Sequence, residues 1–335
     1  MTARYVVSVL LITCSSTWAA SPPAAPSPAV AQAPSADADK DEEAAEVVYV
    51  ERTQPDRIGR ILAPVYVNGQ GPFKFIVDTG ASRSVIAPHV AQALGLTPDT
   101  SRPVQLRGIT GTASVPSILV EKLQAGDLKV ERQRMPVIVP GVMADADGIL
   151  GVDGFKNLCL RASFVNNDIT ITRKGCPLAA KDWPRARATM RFGGLVMVPA
   201  RIGGQKIKAI IDTGAERSLG NPQLLKTLAL ENQVDPTLVT HVLGATPERI
   251  AGSTVQVPTI YLGEFEVTDL YVTFGDLEVF RIWNLQDQPT IVLGMDVLGN
   301  ADGLVIDYRR GEIRVQPKGT SEKQQVRRKG EFGRL

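Results

Sequence analysis

An all-β fold of two similar lobes, set about a pseudo-twofold axis with a cleft between them, is the fold class this sequence predicts. Three observations lead there. The chain contains itself twice. Each copy consists of short runs rich in Val and Ile between Gly, Pro and Asp turns. Neither copy alternates strands with long helices. Residues 73–96 read FKFIVDTGASRSVIAPHVAQALGL and residues 207–230 read IKAIIDTGAERSLGNPQLLKTLAL, and no gap is needed to align them. Self-similarity of this kind marks two copies of one structural unit.

The elements follow in chain order. Positions 1–20 open on Arg4, continue through the apolar run YVVSVLLI at 5–12 and close on the small residues Ala19 and Ala20. That is the outline of a secretory signal peptide, with an apolar run too short to anchor in a bilayer. A second reading is a lipoprotein signal at Cys14, although Thr13 stands where a smaller residue is expected; membrane attachment arises only in that case. Residues 21–56 are rich in Ala, Pro, Ser and acidic residues, a composition that cannot offset its chain entropy by burial. They read as a disordered linker or a removable prosegment.

The first lobe is expected over 57–175, a connection over 176–190 around Pro177 and Pro184, the second lobe over 191–317 and a loose basic tail over 318–335. Each lobe opens with a hairpin whose turn holds Gly69 or Gly203. It continues into the Asp-Thr-Gly-Ala segment and then one short helix, led by Pro88 or Pro222, where a missing N–H costs little. Strand patterns follow at 117–120 and 135–139 in the first copy, and at 256–261 and 270–274 in the second. A Gly-ending apolar element, Ile149-Leu150-Gly151 or Val292-Leu293-Gly294, precedes the closing strands at 168–173, 303–308 and 312–316. Its Gly lies 73 residues after Asp78 but 82 after Asp212, so the second copy carries nine extra residues, placed within 274–290.

Composition narrows the function. The chain has 335 residues, 44% hydrophobic and 21% charged, with 37 basic against 35 acidic side chains. That balance points to no nucleic-acid partner and no anionic surface. Two histidines, His89 and His241, and three cysteines make a Cys/His zinc site hard to assemble. No cofactor and no metal are expected. Loss of a signal peptide leaves Cys159 and Cys176, as one disulfide or as two buried thiols.

The chemistry lies in the repeated Asp-Thr-Gly-Ala. Each Asp ends a fully apolar strand, and a carboxylate at the edge of a core is costly unless it is paired or used. Gly80 and Gly214 allow the tight backbone such a loop needs. Thr79 and Thr213 supply a hydroxyl and an N–H to lock it. Two such loops in two similar lobes bring Asp78 and Asp212 face to face. Carboxylates about 3 Å apart cannot both ionise, so they share one proton. One then acts as general base on a water while the other polarises a carbonyl.

On these residues the chain resembles aspartic peptidases of the pepsin and retropepsin type, most of all bacterial retropepsin-like proteins with two lobes in one chain. The resemblance spans roughly 57–316 and rests on the two segments ending in Asp78-Thr79-Gly80-Ala81 and Asp212-Thr213-Gly214-Ala215, with the elements ending in Gly151 and Gly294. It implies an aspartic endopeptidase with Asp78 and Asp212 catalytic, acting on a peptide or protein substrate. Two lobes in one chain complete the site without a dimer, so a monomer is expected, and the signal peptide points to the periplasm or the outside of the cell. The resemblance implies that each Gly-ending element threads beside its Asp in a ψ-shaped motif. It also implies hairpin flaps, whose candidate tips are Gly108, Ile109, Thr110 and Gly111 in the first lobe and Leu243, Gly244, Ala245 and Thr246 in the second. The same glycines also suit ordinary tight turns. Neither tip carries the Tyr of the pepsin flap.

Ala81 and Ala215 stand where pepsins have a hydroxyl, which implies an activity optimum less acidic than a digestive pepsin's. Ser82 against Glu216 implies unequal halves of the cleft, unless Glu216 pairs with Arg217 or Arg83. Asp153 and Asp296 read as local caps or partners of Arg83 and Arg217. His89 and His241 read as surface or structural, and Trp283 as a core aromatic that also suits the cleft wall. Two other readings stay open. One is a peptide-binding protein without activity, which typically loses one Asp or its Thr-Gly. The other is a glycosidase, whose carboxylates stand farther apart in unlike surroundings.

Overall fold

The computed structural model describes residues 4–7, 46–52, 54–56, 59–139, 143–176, 182–235 and 238–319. It is mostly β, with a few short helices, and its strands form three sheets. Each lobe has one sheet, and a third is shared.

In the first lobe the central hairpin is Ile61–Val67 with Gln70–Val77, and Val67 faces Gln70 across the turn. Asn68 and Gly69 both take positive φ there, at 51° and 81°. This is the two-residue turn whose twist matches paired strands, and Asn-Gly suits it. Gly203 and Gly204 (φ 54° and 81°) make the matching turn between Leu195–Ile202 and Gln205–Ile211. The second strand of each hairpin is buried on both faces as it approaches the Asp.

The Gly-ending element then lies parallel to that strand. In the first lobe Gly148–Leu150 pairs with Phe75 to Val77 and, antiparallel, with Val85–Ile86. In the second, Thr290–Leu293 pairs with Lys208 to Ile211 and with Leu219–Gly220. The Asp78 N–H donates to Leu150 O and the Asp212 N–H to Leu293 O, both at 3.0 Å. The ψ arrangement is therefore present twice.

Helices Pro88–Ala93 and Pro222–Thr227 follow the two loops, each with proline in its first turn. The second is capped by Asn221, whose side chain accepts from Leu224 N–H; Ala87 offers the first no such cap. More helix is present than one turn per lobe. Met295–Leu298 and a 3-10 turn at Val152–Gly154 follow the Gly-ending elements, and a second 3-10 turn lies at Glu231–Gln233. Helix Glu278–Ile282 occupies the stretch where the nine extra residues were expected.

The third sheet runs Arg185–Arg187, Glu312–Pro317, Ala301–Asp307, Cys159–Ser163, Asp168–Lys174, Glu46–Arg52. Its middle joins the copies, with Cys159 facing Asp307 and Ser163 facing Gly303. The Cys159–Cys176 disulfide sits at its edge, with a Cα–Cα distance of 5.5 Å, and Trp183 and Val305 pack against it.

Several expectations need correction. The stretch 21–56 is not all linker: Glu46–Arg52 is a strand antiparallel to Asp168–Lys174, and the run Val47-Val48-Tyr49-Val50 has the β-branched and aromatic character that favours one. Residues 21–45 lie outside the described residues. Within 1–20 only Arg4–Val7 is described, as a short strand parallel to Val239–Leu243; Cys14 lies outside. The connection at 176–190 is not plain linker, since Arg185–Arg187 and Thr189–Arg191 are strands. The single strand expected over 256–261 is broken: Arg249–Gln256 ends before Pro258, which has no N–H for a ladder, and Ile260–Leu262 begins a new one. The strand expected over 135–139 ends at Pro136, followed by one bridge from Val137 to Ile86. Most of the tail, from residue 320, is outside the described residues.

Candidate active site

Asp78 and Asp212 are fully buried where the lobes meet. The backbone explains how two carboxyls come so close. A Cβ on Gly80 would lie 2.3 Å from the carboxyl carbon of Asp212, and one on Gly214 would lie 2.3 Å from that of Asp78. Each glycine thus backs onto the opposite lobe's acid, and only a residue without a side chain leaves room.

The threonines cross the boundary. Thr79 N–H donates to Thr213 Oγ1 and Thr213 N–H to Thr79 Oγ1, both at 3.1 Å. Thr79 Oγ1 donates to Ile211 O at 2.8 Å and Thr213 Oγ1 to Val77 O at 2.7 Å. Each hydroxyl therefore ties the other lobe's loop to the strand that carries it. The expected locking of the loop is present, but it acts between lobes, not within one.

One oxygen of each acid is held by its own loop. Asp78 Oδ1 accepts from Gly80 N–H at 2.7 Å. Asp212 Oδ1 accepts from the N–H groups of Gly214 and Ala215 at 2.9 and 3.0 Å. Oδ2 of each is buried and receives no hydrogen bond from a protein donor. Burial pushes the Asp78 carboxyl up to about 7, opposed by its contact with Asp212, the Gly80 N–H and the charge of Arg60. Burial, followed by the negative charge of Asp78, pushes Asp212 well above the usual carboxylate range. Two acids that both resist ionisation and face each other hold at least one proton between them.

Behind each loop a serine and a second aspartate brace the Gly-ending element. Ser84 N–H and Oγ donate to Asp153, and Gly151 N–H donates to Ser84 Oγ at 3.1 Å. Ser218 N–H and Oγ donate to Asp296, and Gly294 N–H donates to Ser218 Oγ at 3.1 Å. The expected local role of Asp153 and Asp296 is therefore met through serine hydroxyls, with Arg83 and Arg217 adding only a nearby charge. A Cβ on Gly151 or Gly294 would press within 2.6 or 2.8 Å of the Arg83 or Arg217 backbone, so both glycines are close-approach positions. Ala81 and Ala215 are fully buried and offer the acids no hydroxyl.

The two candidate flap tips meet each other. Thr110 Oγ1 and Thr246 Oγ1 share a buried 2.9 Å hydrogen bond. A Cβ on Gly244 would lie 2.7 Å from Ile109 Cγ2, and one on Gly108 would lie 3.1 Å from Thr246 Cγ2. Gly108 N–H donates to Gly111 O, closing the first tip, and Ala245 packs against the core while Leu243 ends its strand. Ile109 is fully buried, and its carbonyl accepts from Val279 N–H, at 3.4 Å, on the second lobe's extra helix.

Glu216 is half-buried, and its carboxyl is raised mainly by burial, with Arg217 and then Arg60 the cations that oppose this. Its opposite number, Ser82, is buried against Gly193. His89 is exposed on its helix and pairs with Asp147 at 2.7 Å; His241 lies half-buried in Val239–Leu243. Trp283 is buried and stacks on Phe192, with ring centroids 5.2 Å apart. Sequence reasoning overlooked Arg60. The available signal was its place just before the first hairpin strand, where the second copy has the apolar Leu195. Among the described residues no group of three or more His, Cys, Asp or Glu is placed to hold a metal ion.

A family model for aspartyl proteases matches residues 63–153 and 198–297, one region in each lobe and together more than half the chain. No curated protein matches the chain.

Proposed function

The chain belongs to the aspartyl protease family, and on that premise we propose that it is an aspartic endopeptidase working through Asp78 and Asp212. The observation that carries the reading is the pair of buried carboxyls, each backed by the other lobe's glycine and both driven toward the protonated form.

The dyad holds one proton and one negative charge. A water between the free oxygens gives a proton to the ionised carboxylate as its oxygen attacks the peptide carbonyl carbon. The protonated carboxyl passes its proton to the carbonyl oxygen, and a tetrahedral diol forms. The first carboxyl then gives its newly acquired proton to the amide nitrogen. The C–N bond breaks, one diol hydroxyl returns its proton to the other carboxylate, and an acid and an amine leave. The dyad is back in its starting state.

Substrate reaches the acids when the Thr110–Thr246 contact opens, and an extended peptide pairs with the flap hairpins as an added strand. Because one chain supplies both acids, the active form is a monomer. The N-terminal segment and the Cys159–Cys176 disulfide support export to an oxidising compartment. The raised carboxyls support an optimum near neutral rather than strongly acidic pH.

The test is cleavage of a mixed peptide library between about pH 3 and about pH 8, read by mass spectrometry, for the parent and for Asp78→Asn and Asp212→Asn. Cleavage by the parent, insensitive to chelators and lost in both variants, is the expected result. Cleavage that survives both variants removes the catalytic assignment. Folded parent that binds peptides and cleaves none at any pH leaves a binding protein on a protease fold.

A further inference from the structure

We propose that Arg60 is a positioning residue that breaks the symmetry of the dyad, keeping the negative charge on Asp78 and the shared proton on Asp212. The inference rests on the proteolytic reading above and goes beyond it, because the two loops alone give no reason to prefer either acid.

Three hydrogen bonds join Asp56 and Arg60. Asp56 N–H donates to Arg60 O at 2.9 Å and Arg60 N–H to Asp56 Oδ1 at 2.9 Å, and Arg60 Nε donates to Asp56 Oδ2 at 2.6 Å, which is also an ion pair. Gly59 takes a φ of +88° in this turn, and its N–H donates to Asp56 O. The turn folds the side chain inward. Arg60 is completely buried and heads the fully buried side chains by size. A guanidinium is not left there without consequence, since its charge is poorly screened in the interior.

The pseudo-twofold gives that charge a direction. The strand register sets Arg60 against Leu195 of the second copy, since Leu62 pairs with Ile76 as Met197 pairs with Ile210. Leu195 is fully buried, and Gly194 before it is the counterpart of Gly59, with φ of 116° against 88°. An apolar side chain therefore fills the place where a second arginine would stand. A cation on the axis would favour ionisation of both acids equally, whereas one set to a side favours the nearer acid. Arg60 acts on Asp78 and, across the lobe boundary, on Glu216. No cation is among the leading influences on Asp212.

Among the described residues, the titratable and charged groups facing Asp78 are Asp212 from the opposite loop, Arg60 from before the first strand and Tyr308 from beyond Ala301–Asp307. Tyr308 is buried and held neutral, so Arg60 is the cation among them. Among the described residues, Asp56 and Glu216 face Arg60. Asp56 lies on the Nε side of the guanidinium and weakens its field without cancelling it. That gives the inference a second, opposite handle. Loss of Arg60 makes Asp78 harder to ionise, whereas loss of the Asp56 charge makes it easier.

The experiment is a titration of the purified protein labelled with carbon-13 at aspartate Cγ, with the two resonances assigned through Asp78→Asn and Asp212→Asn. The acid limb of kcat/KM is measured in parallel. In the parent, the step at lower pH is expected on Asp78. Arg60→Met is expected to move that step upward by about half a unit or more and to leave the upper step in place. Arg60→Lys is expected to restore most of the shift, and Asp56→Asn to move the step downward. A folded Arg60→Met with an unmoved lower step, both steps moving together, or Asp56→Asn moving the step in the same direction as Arg60→Met would each overturn the inference. If Arg60→Met does not fold, the Asp56→Asn and Arg60→Lys arms still decide it. The expected shifts in a protein that cleaves nothing would support the electrostatic role and defeat the proteolytic reading. Cleavage with no shift would do the reverse.

Discussion

The two active-site loops and the two flaps came from the same repeat, yet they have aged differently. In the loops, the described contacts come in twins of nearly the same length. Thr79 and Thr213 exchange N–H donors across the lobe boundary at 3.1 Å each, and within the lobes Ser84 and Ser218 hold Asp153 and Asp296 at 2.7 Å each. In the flaps, the first tip docks through the Ile109 carbonyl on helix Glu278–Ile282, which has no counterpart among the described residues of the first lobe, and the two tips are joined by one hydroxyl pair. Contacts across the axis explain the contrast. A loop whose hydroxyl braces its opposite number cannot drift without unseating both, whereas a hairpin above the cleft can gain a helix beneath it and leave its twin intact.

The sharpest test of the symmetric half is the dyad itself. Asp78→Asn and Asp212→Asn are each expected to lower kcat/KM by about a thousandfold or more, and equally. A variant that keeps substantial activity would mean the two acids are not a unit. The same substitutions should stabilise the fold. Asp78 is raised to about 7 from an ordinary value near 4, so its stabilising contribution is full below about pH 4 and is lost as pH rises through about 7. Asparagine has no such dependence. Its melting temperature should exceed the parent's above pH 7, by an amount worth roughly 1–2 kcal/mol, and converge with it near pH 4. A variant less stable than the parent at every pH would show that the buried carboxyl contributes more by its hydrogen bonds than it costs by desolvation.

The brace between loops comes next in size. Thr79→Val and Thr213→Val each remove a hydroxyl that donates to one buried carbonyl and accepts from one buried N–H. Each is expected to destabilise the protein by about 2–4 kcal/mol, with serine largely restoring it. Denaturant melts of both singles and the double would measure the coupling between them. Unequal single losses would show that geometric symmetry does not extend to energy.

How much of this was legible follows from what each feature depends on. The loops were readable because 24 residues align without a gap and carry their chemistry inside that window. The flap tips were readable as positions, since Gly108, Gly111 and Gly244 punctuate strand patterns, but their meeting was not. It requires two residues 136 apart, Thr110 and Thr246, to face each other over the cleft. The shared sheet was hidden for the same reason. Cys159–Ser163 pairs with residues 140 to 148 positions later, and strand patterns do not name their partners. Glu46–Arg52 was masked by the low-complexity residues before it. Arg60 looked like an ordinary charged residue until the strand register set it against the buried Leu195.

A smaller effect concerns the disulfide, which only the first copy carries. Cys159→Ala with Cys176→Ala should cost about 2–3 kcal/mol, since the bond closes a short loop at the edge of the shared sheet. The loss should appear in global stability and leave kcat/KM within about twofold. A large loss of activity would place the sheet's edge in communication with the cleft.

The last test separates the flaps. Thr110→Val and Thr246→Val remove the same bond from opposite ends, so each should change kcat/KM by no more than about fivefold, and in the same direction. Val279→Pro attacks the seat of the first flap alone. It removes the N–H that donates to Ile109 O, at a first-turn position of Glu278–Ile282 that tolerates proline, and leaves the side chains between the two tips in place. Amide exchange should therefore rise across Asp99–Arg107 and the start of Thr112–Ala125, and stay at the parent's rate across Val239–Leu243 and Arg249–Gln256. If exchange rises in both hairpins together, the hydroxyl pair transmits the loosening and the flaps move as one lid. If it rises in one alone, the extra helix has made the first flap the anchored wall of the cleft and left the second to act as its gate.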